Sequence, residues 1–508
     1  MRKRIHPLAA LLVFLPVAAC APEQAENQVE MAAAAANVTM LMPVSTASSE
    51  ALNHFMQGQR ALDMGRFNDA GPHFQKAIEL DPDFAFGYLM VANTANSSAE
   101  YQTNLKMAVE HVASASEAER LFIEIANKGN NSDTRGQLET AQRLVEATPA
   151  SPRAWIALAN IQSAMGKEGE ARATMMKVTE IAPNFVTAHM ALGNSYLFTE
   201  PRDLSKAQQH MEKAVELEAN EAVPHDLLGD TYRAQNQLEK AAQEYTRTAE
   251  LDPKSGNGFQ QRGHVHSFLG NYDQARADYD AAIQLEKGKN AAASFGVYRA
   301  LVQVHQGNPQ AAIDELNQLA SRIDGMGIPE PTGLKIFALG NAIQIALHHK
   351  MFPAAEQAIK QRNDLLMKQA QRIGTDAANR NARSNIAFID GMMAAEKDDY
   401  VTATAKAQEF MTIVEPNTNP RKNQPAHTIM GYVSFKQGKF DEAITHYEQA
   451  DPNDIYTTYY HAMALEGAGR TEEAQKLYQR VATDNFNSAG LALVKKDAKA
   501  KFSEMTAM

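Results

Sequence analysis

A single cysteine and a single tryptophan stand among 508 residues. One thiol cannot close an internal disulfide or complete a multi-cysteine zinc or iron–sulfur site, so core packing must hold this chain together without covalent staples. Positive charge is also short. Lys and Arg number 49 against 60 Asp and Glu, a net charge of -11 at pH 7, which leaves no basic excess to attract a phosphate backbone and argues against nucleic acid as a partner. Missing too are a Walker phosphate loop, a Rossmann glycine pattern, HExxH and GxSxG, so no familiar enzyme class is announced and no cofactor is implied. What is there, 44% hydrophobic and 21% charged residues, is the composition of a folded protein.

The N-terminus reads as a targeting segment. Met1-Arg-Lys-Arg is followed by the apolar run Leu8 to Val17 and then by Ala18-Ala19-Cys20. The run is too short for the roughly 20 residues of a spanning helix, and no other segment is apolar enough to span. The LPVAAC string resembles the bacterial lipobox, which implies removal of residues 1–19 and acylation of Cys20. Several acyl chains, each contributing about 0.8 kcal/mol per buried CH2, give a stable anchor. Ala21 after the cysteine, in place of aspartate, favours the outer over the inner membrane under the sorting rule of enteric bacteria. Residues 20–49, with Pro22, scattered glutamates and the alanine run Ala32 to Ala36, carry no stripe of large apolar residues and read as a lipidated flexible tether.

From Ala51 onward the chain repeats itself. Gly58, Gly65, Phe67, Ala70, Phe74, Ala77 and Pro82 set a pattern that returns as Trp155, Ala159, Gly166, Ala171, Met175 and Pro183, and again as Gly193, Tyr196, Ala207 and Met211. Gly229, Tyr232, Ala241, Tyr245 and Pro253 recur without a gap as Gly263, His266, Ala275, Tyr279 and Lys287. Later copies are marked by Gly307 and Ala312, Phe352 and Ala355, Gly391 and Ala403, Gly431 and Tyr447, and Ala462 and Tyr478. This pattern resembles the tetratricopeptide repeat, a unit of 34 residues folding as a helix–turn–helix. The resemblance implies an all-α fold, a right-handed superhelical solenoid of about ten or more antiparallel helix pairs. Small residues at the eighth and twentieth positions are expected to let the paired backbones approach, and the aromatic at the twenty-fourth to fill the space under the neighbouring unit.

Breaks in the pattern suggest boundaries. Residues 50–320 read as an N-terminal array, 321–335, rich in Gly and Pro, as a loop or hinge, 336–485 as a C-terminal array, and 486–508 as a capping helix or tail. The stretch from Ala85 to about Pro152 fits the repeat badly and is expected to hold helices of unusual length.

Candidate chemistry is sparse. His264 and His266, two apart on a helix, point about 200 degrees away from each other and cannot chelate one ion; His266 is expected at a core position and His264 on the groove. His348-His349 reads as a solvated turn, Tyr456, Tyr459, Tyr460 and His461 as packing between helices, and Trp155 as core. In the family the first helices line the concave face, with the second, fifth, ninth and twelfth residues pointing inward. Those positions give Asn160, Asn194, Asp226, Asp230, Arg233, Gln260 and His264, with Asn93 in an earlier copy, as the candidate binding surface. Asn93, Asn160 and Asn194 are placed to hold an extended peptide by paired donor and acceptor bonds. The lysine of the family's carboxylate clamp is not matched, because Ile156 stands there.

The expected function is that of a non-catalytic, lipid-anchored scaffold facing the periplasm, binding protein segments in the cell envelope, with outer-membrane or secretion-complex assembly as its most specific version. An envelope polysaccharide or glycan-binding helper is the alternative. An enzyme is the remaining class, with Asp226 and Asp230, one helical turn apart, as the acid pair to examine.

Overall fold

The computed structural model describes residues 44–507. The leader, Cys20 and most of the tether lie outside the described residues. What is described is all-helical, 25 α-helices with no strand, as the repeat pattern implies, and neighbouring helices pack in successive pairs.

By its contacts the described chain divides into two compact units, 44–231 with 243–258, and 232–242 with 259–507. The first opens with α1 (Ser49–Asp63), α2 (Phe67–Leu80), α3 (Ala85–Asn93), α4 (Ser98–Glu110), α5 (Glu117–Asn130) and α6 (Thr134–Ala147). It continues through α7 (Pro152–Ala164), α8 (Glu168–Ile181), α9 (Val186–Phe198) and α10 (Leu204–Leu217). The helices α11 (Ala222–Ala234), α12 (Leu238–Leu251) and α13 (Asn257–Leu269) are each shared between the units. The second unit runs on through α14 (Tyr272–Leu285), α15 (Asn290–His305), α16 (Pro309–Arg322), α17 (Pro331–His348), α18 (Phe352–Ile373) and α19 (Asp376–Glu396). It ends with α20 (Tyr400–Val414), α21 (Gln424–Lys436), α22 (Phe440–Tyr447), α23 (Ile455–Gly467), α24 (Thr471–Thr483) and α25 (Ala489–Thr506).

The repeat residues explain the pairing, with one change from the sequence expectation. A Cβ placed on Gly229 would meet the Tyr245 ring at 2.6 Å, on Gly431 the Tyr447 ring at 2.8 Å, and on Gly193 the Met211 methyl at 2.6 Å. The eighth-position glycine therefore makes room for the twenty-fourth-position side chain of its own repeat, as well as for backbone approach. Turn residues at the repeat's midpoint adopt positive φ, by glycine at Gly166, Gly270 and Gly438 and by Lys350 and Asp398 elsewhere.

The badly fitting stretch holds four helices, α3 to α6, of which α3 has only nine residues. Ser116 and Glu119 close a reciprocal cap at the start of α5, satisfying two orphan N–H groups. The end of the expected tether is tied down here: the Ser45 N–H donates to Glu119 at 2.8 Å, and the Ser45 hydroxyl accepts from the Ser116 N–H at 2.9 Å. Residues 321–335 lie within the second unit. They contain the short 3-10 turn Ile323–Met326, with Ile323 fully buried, and α16 and α17 on either side pack together. At the end of the chain α25 packs on α24 and also against α15, α17 and α23.

Candidate functional site

The candidate residues fall into two groups by unit. In the first, Asn93 closes α3 with its amide near the Met90 sulfur, and Asn160 is half-buried on α7. On α9, Thr187 and Asn194 sit seven residues apart, two turns along one face. Each carries a buried side-chain oxygen with no hydrogen-bond partner in the described chain, an arrangement that folded proteins rarely leave without a ligand or water. Asp226 and Asp230 are buried, and Asp230 accepts a 2.7 Å bond from the Tyr245 hydroxyl. Arg153 forks onto Asp63 at 2.7 and 2.9 Å, tying α7 to the end of α1.

The second group is more concentrated. Arg233, Gln260 and His264 are only 3, 8 and 4% exposed, although their repeat positions predict an open polar face. The cover is the chain itself. Between α24 and α25 the backbone of 484–488 is non-helical, and its side chains plug into this face. The Asn485 amide donates to the Arg233 carbonyl and to Asn236 Oδ1, both at 3.0 Å, while its oxygen accepts from Lys495 Nζ at 2.9 Å. The Phe486 ring lies 4.6 Å from the Arg233 guanidinium. The Asn487 amide donates to His264 Nδ1 at 3.2 Å and to the Tyr279 hydroxyl at 3.3 Å, and its oxygen accepts from His305 Nε2 at 3.0 Å.

Burial sets the charge state of this face. His264 is held well below its usual pKa by desolvation, with Arg233 and His305 adding to the effect. Burial also pushes His305 down to about 4, against the bond to Asn487. Both imidazoles are therefore neutral near pH 7; the single lone pair of His264 Nδ1 accepts chiefly from the Tyr279 hydroxyl at 2.6 Å and is shared with the Asn487 amide at 3.2 Å, while His305 donates to Asn487. Lys495, over the Phe268 ring at 4.9 Å, is lowered to about 7, chiefly by burial.

Three smaller expectations change. His264 is more deeply buried than His266, because the 484–488 segment covers it. His348 is no solvated turn residue: Tyr456 of α23 packs against it, with its hydroxyl 2.9 Å from Nδ1, and burial lowers His348 to about 4. Trp155 is half-buried at the edge of the first unit's core, donating its indole N–H to the Pro149 carbonyl. The tyrosines do pack between helices, Tyr432 against Tyr460 and Tyr459 against Tyr478. They also form a polar chain, with the Tyr456 and Tyr460 hydroxyls 3.3 Å apart and Tyr432 donating to Glu396 at 2.5 Å.

Sequence reasoning missed Asn485, Phe486, Asn487, Tyr279, His305 and Lys495. The polar run Asp484-Asn-Phe-Asn-Ser between two helical patterns was the available signal. A second missed feature is a histidine pair joining the two helices of a repeat: His54 with His73, His189 with His210, and His427 with His446 bring their Nδ1 atoms to 3.3, 3.2 and 3.2 Å. In a fourth repeat His225 meets Glu244 instead.

Comparison with known proteins agrees with the repeat reading. Tetratricopeptide-repeat models match residues 53–84, 152–185, 225–255, 261–325 and 434–496. The chain is similar to mouse protein O-mannosyl-transferase TMTC1, 28% identical over 28% of this chain and 15% of that protein. It is similar also to Schizosaccharomyces pombe anaphase-promoting complex subunit 3, 25% identical over 35% and 26%, so the match spans about a quarter or less of these relatives. Among solved structures, the pilus biogenesis factor PilW is 15% identical over 41% of this chain and 94% of its own, with a TM-score of 0.35. The Cut9–Hcn1 hetero-tetramer structure is 15% identical over 93% and 82%, with a TM-score of 0.41. With its repeat residues, its paired helices and these five matched segments, the chain is a tetratricopeptide-repeat protein.

Proposed function

We propose that this protein is a membrane-anchored, non-catalytic scaffold that binds extended protein segments in the cell envelope. The observation that carries the reading is the polar face of the second unit, whose side chains already hold a non-helical stretch of polypeptide by its carboxamides. Asn160 and Asn194, partly exposed on neighbouring repeats, supply a second place where a peptide's backbone would be held. Such contacts are individually small, so affinity would rise with the length of segment engaged.

Attachment is assigned to Cys20 on the strength of the LPVAAC string; among the described residues no helix is long and apolar enough to cross a membrane. Assistance to outer-membrane or secretion-complex assembly is the most specific form of the proposal. Two measurements test it. Cys20→Ser should move the protein from the membrane fraction to the soluble fraction, and continued retention would mean that another element anchors it. Crosslinking in the native envelope should capture protein partners, with capture falling when Asn160 and Asn194 are both changed to Ala. Recovery of glycan with no protein enriched would overturn the scaffold in favour of a polymer-binding helper.

A further inference from the structure

The segment 484–488 is bound in a way that defines what else would bind. Asn485 and Asn487, two apart in a non-helical stretch, each use both ends of the side-chain amide: two donated bonds and one accepted bond at each residue. Between them Phe486 stacks on Arg233. A core built for packing alone would be apolar, since burying polar groups costs free energy unless every one is paired. Here the lining is Arg233, Asn236, His264, Tyr279, His305 and Lys495, and its pairing depends on carboxamides arriving at the right spacing. An aspartate in place of Asn487 keeps the shape, loses both donated bonds and sets a carboxylate beside the buried, neutral His264. A site built on such bonds discriminates strongly between a group that can donate and one that cannot.

We propose that this face is a recognition site for extended protein segments carrying asparagine–aromatic–asparagine, and that 484–488 is a built-in occupant which an incoming segment replaces. The proposal rests on the scaffold reading and adds the class of partner and its regulation. A tethered occupant competes at high effective concentration, so the face is closed until a partner of matching pattern is abundant or engages other repeats as well. Because α25 stays packed on α15, α17, α23 and α24, exchange requires only the short segment to move.

The test uses the chain without its leader and a labelled peptide of its own sequence 482–490. A chain with a loosened occupant, Phe486→Ala with Asn487→Asp, should bind this peptide at least tenfold more tightly than the unaltered chain. The same peptide with aspartate at the position of Asn487 should bind at least tenfold more weakly than the asparagine form. In the unaltered chain, excess peptide should speed hydrogen exchange of the 484–488 amides while leaving α24 unchanged, a readout that does not depend on any variant folding. Equal binding by the two chains, indifference to the Asn-to-Asp change, or 484–488 exchange unmoved by peptide would each overturn the proposal. So would concentration-dependent dimers that trade the segment, since the occupant would then be a second copy. Envelope capture through Asn160 and Asn194 is independent of this outcome, so failure here and failure of the scaffold reading are distinguishable.

Discussion

Gly431 shows how far one atom decides the fit of a repeat. Its missing Cβ is the space taken by the Tyr447 ring, which a methyl there would approach to 2.8 Å. Replacement by leucine must displace a buried aromatic, and overpacking of this kind costs about 1–3 kcal/mol. Gly431→Leu is therefore expected to lower the thermal midpoint. Gly169→Ala, where a Cβ meets nothing within 4 Å, should leave it unchanged or raise it slightly, since alanine is the better helix former. Equal effects of the two substitutions would show that the glycine does not hold this register. Positions such as Gly431 and Tyr447 were legible in the sequence because they recur at a fixed period. Asn485 and Asn487 were not, because they lie outside the period and act on residues more than 180 positions away.

Helices and their turns were mostly written in local signals, such as the cap at Ser116 and the glycines at the repeat midpoints. The cross-links between helices were less visible. Each histidine of a pair looks like an ordinary polar residue until the fold brings the fourth and twenty-third positions together. Their burial gives the elements a shared pH response. His210 is pushed down to about 4 by burial, with His189 and Lys206 adding to it; His305 and His348 are lowered to about 4 chiefly by burial, and His73, His427 and His446 are lowered as well. In each case the folded form refuses a proton that the unfolded chain accepts below its ordinary value of about 6.5. Stability from these groups is thus fully present above that value and is lost as pH falls through each folded value, about 4 for His210, His305 and His348. His225 acts in the opposite sense, since its bond to Glu244 raises its pKa and its contribution is lost as pH rises through the folded value. The lowered group is the larger, so the urea midpoint should fall steadily between pH 6.5 and 4, and His210→Gln should flatten part of that slope. A midpoint constant across this range would contradict the assigned burial.

For the molecule as a whole, the repeat period was enough to foresee an all-helical stack, because each unit hides its apolar face only against a neighbour. It was not enough to foresee which part of the polar face is open. Arg233, Gln260 and His264 were identified from their repeat positions, but their burial depends on a segment that the period does not describe. Whether partners bind at that covered face is therefore the central question. The most direct measurement compares protein capture from envelope extract by the leaderless chain, with Asn160 and Asn194 changed to Ala so that only the covered face is read, alone, with excess peptide 482–490, and with the same peptide carrying aspartate at the position of Asn487. Capture should fall with the asparagine peptide and hold with the aspartate form. Capture unmoved by either peptide would contradict the claim that partners enter by displacing the segment.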